Sequence, residues 1–341
     1  MERIKLGDVE LPSGELMILD PGLGRFWRHD GEPRSPRAAD PATVDVRFVG
    51  RDAVQAGRTF DRSFHPEFYY DVASVEKVSE LFAAHCRERG LQAQLQVLDR
   101  KVPHVERARR ALEYGGGLGV VEFNGIWGVV VGGLPHGPIP VVGSLLDGEL
   151  AQRFRSVDLV IDERAAVARS ETVTGVMVDH GQLLCAGLGP LGAFKMWESL
   201  DGLADFVFWG RDAAPLAAAS QAPELDDGLF GWTDLPMARV GEHAGPIQQR
   251  IHEEKLGVNV DYRPHCNLER LNAQIRSSDE RNGRLVLDSA RTCGFDNRWG
   301  DGIFPVIRDL DAQGRTIRVR MDVGNEQMQA RMRQMMAKAS R

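Results

Sequence analysis

Phe48-Val49-Gly50-Arg51-Asp52-Ala53 returns in the second half of the chain as Phe208-Trp209-Gly210-Arg211-Asp212-Ala213. Other echoes follow in the same order. Gly14-Glu15-Leu16-Met17 is answered by Gly181-Gln182-Leu183-Leu184. An alternating segment leads into Pro103-His104, and another into Pro264-His265, each opening a helix that carries Glu-Arg. Phe123 stands four residues before Trp127-Gly128, as Phe295 does before Trp299-Gly300. Pro140-Val141-Val142 answers Pro305-Val306-Ile307, and strands ending at Asp162 and Asp322 close each half. Ordered self-similarity of this kind predicts an internal duplication. The expected units are 9–163 and 171–324, each of ordinary domain size, followed by a C-terminal Met-rich helix over 325–341.

The local pattern gives the fold class. Leu91 to Leu98, Thr316 to Val323, Val44 to Val49 and Gly257 to Tyr262 alternate apolar and polar residues, the period of a half-buried strand. Such strands belong to antiparallel or mixed sheets with one wet face. Helices are fewer. They are predicted over Ser74–Arg89, His104–Glu113, Pro246–Lys255, Leu268–Ile275 and Asn325–Lys338. The last places Met328, Met332, Met335 and Met336 on one face, which reads as a terminal helix docked on its own core. Asp30–Pro41 and Ala213–Asp227, rich in Pro with Arg and Asp or with Ala, read as exposed loops. The expectation is a β-rich α+β protein of mostly antiparallel or mixed sheets, with two similar halves.

Bulk properties narrow the function. The chain has 341 residues, 43% hydrophobic and 27% charged, with a formal net charge of −7. This length suffices for a substantial core. The acidic balance argues against nucleic-acid binding. The N-terminus lacks an apolar signal segment. The longest apolar stretch, 126–146, is broken by glycines and prolines, so no membrane helix is expected. Cys86, Cys185, Cys266 and Cys293 form no C-x-x-C pair and read as free thiols in a reducing compartment. The location expected is the cytoplasm.

Three segments resemble a known family. They are Ser13-Gly14-Glu15-Leu16-Met17-Ile18-Leu19-Asp20-Pro21, Val178-Asp179-His180-Gly181, and Arg298-Trp299-Gly300-Asp301-Gly302-Ile303-Phe304-Pro305-Val306. In that order they are similar to the bacterial proteins grouped as domain of unknown function 4241, as is the stretch from Asp162 to Arg169. His180 and Gln182 depart from that family's small or hydroxylated residues. The resemblance implies one bacterial, cytosolic protein. It implies no activity, and no catalytic residue is carried over.

Read physically, Asp20-Pro21 ends a strand, because proline has no N–H for the ladder. Trp299-Gly300-Asp301-Gly302 reads as a tight turn feeding a strand. Glycine takes positive φ there, Asp301 bonds the turn backbone, and Trp299 sits half-buried with its N–H paired.

Motifs that carry chemistry are sparse. Gly187-Leu188-Gly189-Pro190-Leu191-Gly192 has the G-x-G-x-x-G form, with Asp205 and Asp212 at the distance of a ribose-binding acid. It lacks the succession of βα units that a dinucleotide fold requires. Gly115-Gly116-Gly117-Leu118-Gly119 lacks the Lys-Ser/Thr of a phosphate loop and reads as a connection. The nine histidines include no H-E-x-x-H or H-x-H pair, so no metal site and no cofactor is expected. His265, where a strand gives way to a helix, is the histidine best placed for chemistry. It would act with Asp179 or Asp301 as an acid–base or metal pair. Arg51-Asp52 and Arg211-Asp212 read as turn-stabilising ion pairs.

Three functions remain open at this level. The first is a non-catalytic binding or interaction protein, with a protein partner or a small molecule. The second is an enzyme with a cleft between the halves, where Asp179, His180, His265, Trp299 and Asp301 converge. The third is nucleotide binding through Gly187–Gly192.

Overall fold

The computed structural model describes residues 2–31, 44–60, 68–72, 75–98, 101–123, 125–226 and 228–339. Most of the loop expected at 30–41, with Ser74 and Asp227 at the ends of two expected segments, lies outside the described residues. The chain forms two compact units, Met1–Ala193 with Gln274–Arg341, and Phe194–Ala273.

The larger unit holds two six-stranded sheets. One runs β1 (Arg3–Glu10), β8 (Pro138–Leu145), β9 (Phe154–Val160), β19 (Thr316–Met321), β18 (Gly302–Leu310), β10 (Arg169–Val178). The other runs β16 (Asn282–Leu287), β17 (Ala290–Asp296), β11 (Gln182–Gly187), β2 (Leu16–Leu19), β7 (Ile126–Val131), β6 (Leu118–Phe123). A three-stranded sheet, β4 (Phe68–Val72), β3 (Val44–Val49), β5 (Gln94–Val97), belongs to the same unit. The smaller unit has one sheet: β13 (Glu224–Asp226), β14 (Leu229–Pro236), β12 (Leu203–Gly210), β15 (Val258–Pro264). The described pairings are antiparallel, and the fold is β-rich α+β as expected.

The main core draws on inward residues of both six-stranded sheets, among them Leu16, Val131, Leu183 and Phe295 from one and Phe154, Phe304, Val306 and Val319 from the other. The period-two pattern is what sorts them: in β19, Ile317, Val319 and Met321 are buried while Arg318 and Arg320 face away. Each fully buried side chain of this size contributes about 1.5–3 kcal/mol. The three-stranded sheet packs its own cluster of Phe48, Ala56, Phe82 and Cys86. In the smaller unit, Phe206 and Phe208 of β12 pack with Leu216, Ala217 and Ile247 from two helices.

Read outward from its middle, each six-stranded sheet has the same sequence of elements on both sides. β9-β8-β1 answers β19-β18-β10, and β2-β7-β6 answers β11-β17-β16. The Gly-Arg-Asp echo also has a common geometry. Gly50 and Gly210 take φ of 120° and 133°, and an added Cβ would lie 2.6 Å from Gln92 O in one turn and 2.4 Å from Gly257 O in the other. Asp52 Oδ2 accepts the Gln92 N–H at 2.8 Å, and Asp212 Oδ2 accepts the Gly257 N–H at 2.7 Å. One predicted echo fails. Phe123 closes β6 and Trp127 lies in β7, whereas Phe295 lies in β17 and Trp299 in the turn after it. Register gives the reason: Leu16 pairs with Val131 and Leu183 with Phe295, so Val131 stands where Phe295 does. The boundaries 9–163 and 171–324 do not delimit compact units either, because β2 pairs with β11 and β9 with β19.

Helices α1 (Ala53–Phe60), α2 (Val75–Arg89), α3 (His104–Tyr114), α4 (Ala213–Ser220), α5 (Val240–Glu254), α6 (Asn267–Ser277) and α7 (Glu326–Ala339) complete the elements. The loop expected over 213–227 is instead α4 followed by β13. The alanine run favours helix, and Pro215 falls in the first turn, where no intrahelical N–H is lost. α5 begins earlier than predicted and carries Pro246 inside it. Met328 and Met332 of α7 pack against the main core, while Met335 and Met336 are exposed. No helix among the described residues is long and apolar enough to cross a membrane.

Candidate functional site

His265 follows β15 directly, and its backbone is fixed from both sides. Its N–H donates to Leu203 O at 3.1 Å, and its carbonyl accepts the Leu200 N–H at 3.0 Å. Three aspartates reach its ring from separate elements. Asp201 sits in the turn before β12, where its Oδ1 accepts the Leu203 N–H and the Ser199 hydroxyl, each at 3.0 Å. Asp205 points off β12 on the side opposite buried Ala204 and Phe206. Asp234 lies in β14 at the register shift against Ala204 and Phe206, with φ of 55°. Bulges re-aim side chains. Here the Asp234 N–H donates to Asp205 Oδ1 at 3.0 Å.

The ring is engaged at both nitrogens. Nδ1 lies 3.0 Å from Asp201 Oδ2, and Nε2 lies 3.1 Å from Asp205 Oδ1 and 4.0 Å from Asp234 Oδ1. Arg270 Nη2 stands 3.5 Å from the same Asp201 oxygen. Partial burial works against the imidazolium, but its hydrogen bonds to Asp205 and Asp201 outweigh this and hold the ring's pKa above the usual histidine range. For Asp201, desolvation is outweighed by hydrogen bonds from His265, Leu203 and Ser199, and its pKa falls to about 2.

One ligand atom each from Asp205, Asp234 and His265 lie within 4.8 Å of one another. Loss of the Nε2 proton turns this group into a one-imidazole, two-carboxylate set suited to a divalent first-row cation. Asp201 would then accept from Nδ1–H, fixing tautomer and ring orientation as the outer carboxylates of metal-bound histidines do.

The other residues singled out in the sequence fall elsewhere. Asp179 and His180 form the turn between β10 and β11, in the larger unit. Their N–H groups donate to Asp20 Oδ2 at 2.7 and 2.8 Å. Asp20 is buried, and its Oδ1 caps the following turn through the Gly22 N–H. Desolvation raises its pKa against those bonds. The Trp299 turn adjoins this one through the Asn297 N–H to Gly181 O at 2.9 Å. Trp299 is buried more fully than expected, with Nε1 donating to Phe154 O at 2.7 Å. Asn297, not Asp301, organises the turn: its Oδ1 accepts from the Trp299 and Gly300 N–H groups. Asp301 is exposed. These four residues are therefore neighbours in a structural turn pair. The acids on His265 are Asp201, Asp205 and Asp234, not Asp179 or Asp301.

Gly187–Gly192 does not build a phosphate cradle. β11 pairs antiparallel on both sides, and a 3-10 turn, Pro190–Ala193, replaces the helix that a dinucleotide would need. The Leu188 N–H is taken by Glu15 O, and the Gly192 N–H by Gly189 O. The four cysteines are free and buried. Cys266 donates to Met196 O, and burial raises its thiol pKa.

Sequence reasoning placed His265 but missed its partners. Asp201, Asp205, Asp234 and His265 share no short motif, and Asp205 stood out only as a candidate ribose acid. No protein-family model, curated protein or solved structure matches the chain.

Proposed function

We propose that the chain is a cytoplasmic, non-catalytic binding protein of bacterial type, related to the group called domain of unknown function 4241, that takes a divalent cation in its smaller unit. The observation that supports this is the convergence of His265 Nε2, Asp205 and Asp234, with Nδ1 turned to Asp201. Calorimetric titration of chelator-treated protein with Zn2+ and Mn2+ tests it. One equivalent bound by the native chain and none by His265→Ala is the expected result. Equal binding by both proteins removes the reading.

A second reading is favoured by the ligand count. Three protein ligands leave coordination positions open, as in catalytic rather than structural metal sites, and the Asp234 side chain is 72% exposed. Metal-assisted hydrolysis would be its chemistry. Turnover of a phosphate or carboxylate ester by the Zn2+ form, lost in His265→Ala, separates enzyme from binder.

The halves are read as descendants of one α+β unit. The mirrored strand orders and the common Gly-Arg-Asp turns support this. An experimental structure that places Gly50–Asp52 and Gly210–Asp212 in unlike turns would refute it.

A further inference from the structure

β9 and β19 meet in the middle of the first six-stranded sheet, and their outer faces are polar. Val157 and Leu159 turn into the core, so Ser156 and Asp158 face away from it. Asp158 lies opposite Arg320 in register and is only 5% exposed. Its Oδ2 is 3.4 Å from the Ser156 hydroxyl, while its Oδ1 has no hydrogen-bond partner among the described residues. A buried, unpaired carboxylate oxygen carries its full desolvation penalty.

A cavity of about 260 Å³ opens beside that carboxylate. Its polar wall includes Arg3 and Arg318, both already paired. Arg3 meets Glu163, and Arg318 meets Asp309 at 2.6 Å. Asp162 Oδ1 accepts the Arg164 and Ala165 N–H groups. The charged lining residues are two arginines, Arg3 and Arg318, and three carboxylates, Asp158, Asp162 and Glu163, a formal balance of one negative charge. The apolar wall is Val160, Ala165, Val167 and Ile317. The lining comes from both halves of the chain, Asp158 from the first and Ile317 and Arg318 from the second.

We propose that this cavity binds a small organic monocation, a primary ammonium or guanidinium on a short alkyl stem, with its N–H groups on Asp158 Oδ1 and its stem against Val160 and Val167. The site is independent of the His265 cluster. An alkylammonium satisfies the vacant acceptor, neutralises the surplus charge and covers the apolar wall. A neutral alcohol does only the last of these well.

Calorimetry and thermal melting of the full chain, in EDTA so that metal binding is silent, test this with n-butylammonium, n-butylguanidinium and neutral n-butanol. Saturable one-to-one binding of a charged probe is expected, with a melting temperature that rises with its concentration. Butanol should give neither. Asp158→Asn should bind about tenfold more weakly or worse, the scale of one charge-assisted hydrogen bond. Ala165→Trp, at a half-buried loop position on the cavity wall, should abolish binding, and it decides the matter if Asp158→Asn does not fold. The proposal is overturned if neither cation binds saturably, if butanol binds as well as butylammonium, or if the folded variants bind like the native chain. None of these outcomes touches the metal reading, because EDTA removes the ion throughout.

Discussion

Asp201 and His265 face each other across 3.0 Å, carboxylate to Nδ1, on the side of the imidazole away from Asp205 and Asp234. The relationship makes Asp201 an orienting group rather than a ligand. Asp201→Asn keeps the three ligand side chains but weakens the acceptor on Nδ1. Zn2+ affinity should fall by about 10–100-fold. Competition against a chromophoric chelator measures it, and unchanged affinity would show that the carboxylate does not support the ring.

Asp45 and Arg107 form a pair at 2.6 Å, with side-chain exposures of 0% and 7%. Asp45 Oδ2 also takes the Val102 N–H, and Arg107 Nε donates to Val102 O. Removing one partner strands the other's charge away from water. Asp45→Ala should cost about 3–5 kcal/mol, read as a lower urea midpoint at unchanged slope.

His104 is buried, close to Trp27 and Phe123, and its Nδ1 accepts the Arg28 N–H at 2.7 Å. Desolvation, then the Arg107 and Arg28 charges, push its pKa down to about 3. The unfolded ring titrates near 6.5. The neutral folded form therefore contributes its full stability above about pH 6.5. That contribution drains away as pH falls toward 3, because the unfolded chain takes up the proton first. Denaturation midpoints between pH 7 and pH 4 should fall more steeply for the native chain than for His104→Gln. Parallel profiles would count against the assignment.

Trp299→Phe keeps the ring in the core but deletes the Nε1–H bond to Phe154 O. The orphaned buried carbonyl should cost about 1–3 kcal/mol. Zn2+ affinity should not change, which separates this turn from the metal centre.

Much of the architecture was legible because it rests on local periodicity. The alternation in Thr316–Met321 is enforced by one dry and one wet face, and the strand appears where it does; Val44–Val49 also forms a strand, although Asp45 on its polar side is buried. Gly210-Arg211-Asp212 was legible for another reason: the positive φ and the Asp–backbone bond are properties of the turn itself. What failed depended on distance along the chain. Phe295 was matched to Phe123 by spacing, and only the pairing of Leu183 with Phe295 places it. Ala213–Ser220 was misread because loop composition outweighed alanine's helix preference. Asp234 turns toward His265 only through a bulge in β14, and no spacing in the sequence announces a bulge.

The seams β2–β11 and β9–β19 have a consequence for birth on the ribosome. When Leu16–Leu19 and Phe154–Val160 emerge, the strands that will cap their open edges have yet to be translated. At ordinary elongation rates that wait is on the order of ten seconds. Throughout it the nascent chain displays two sticky borders able to recruit a stranger. Overproduction should therefore yield inclusion bodies sooner than the stability of the finished molecule suggests, and chaperones acting during translation should relieve it.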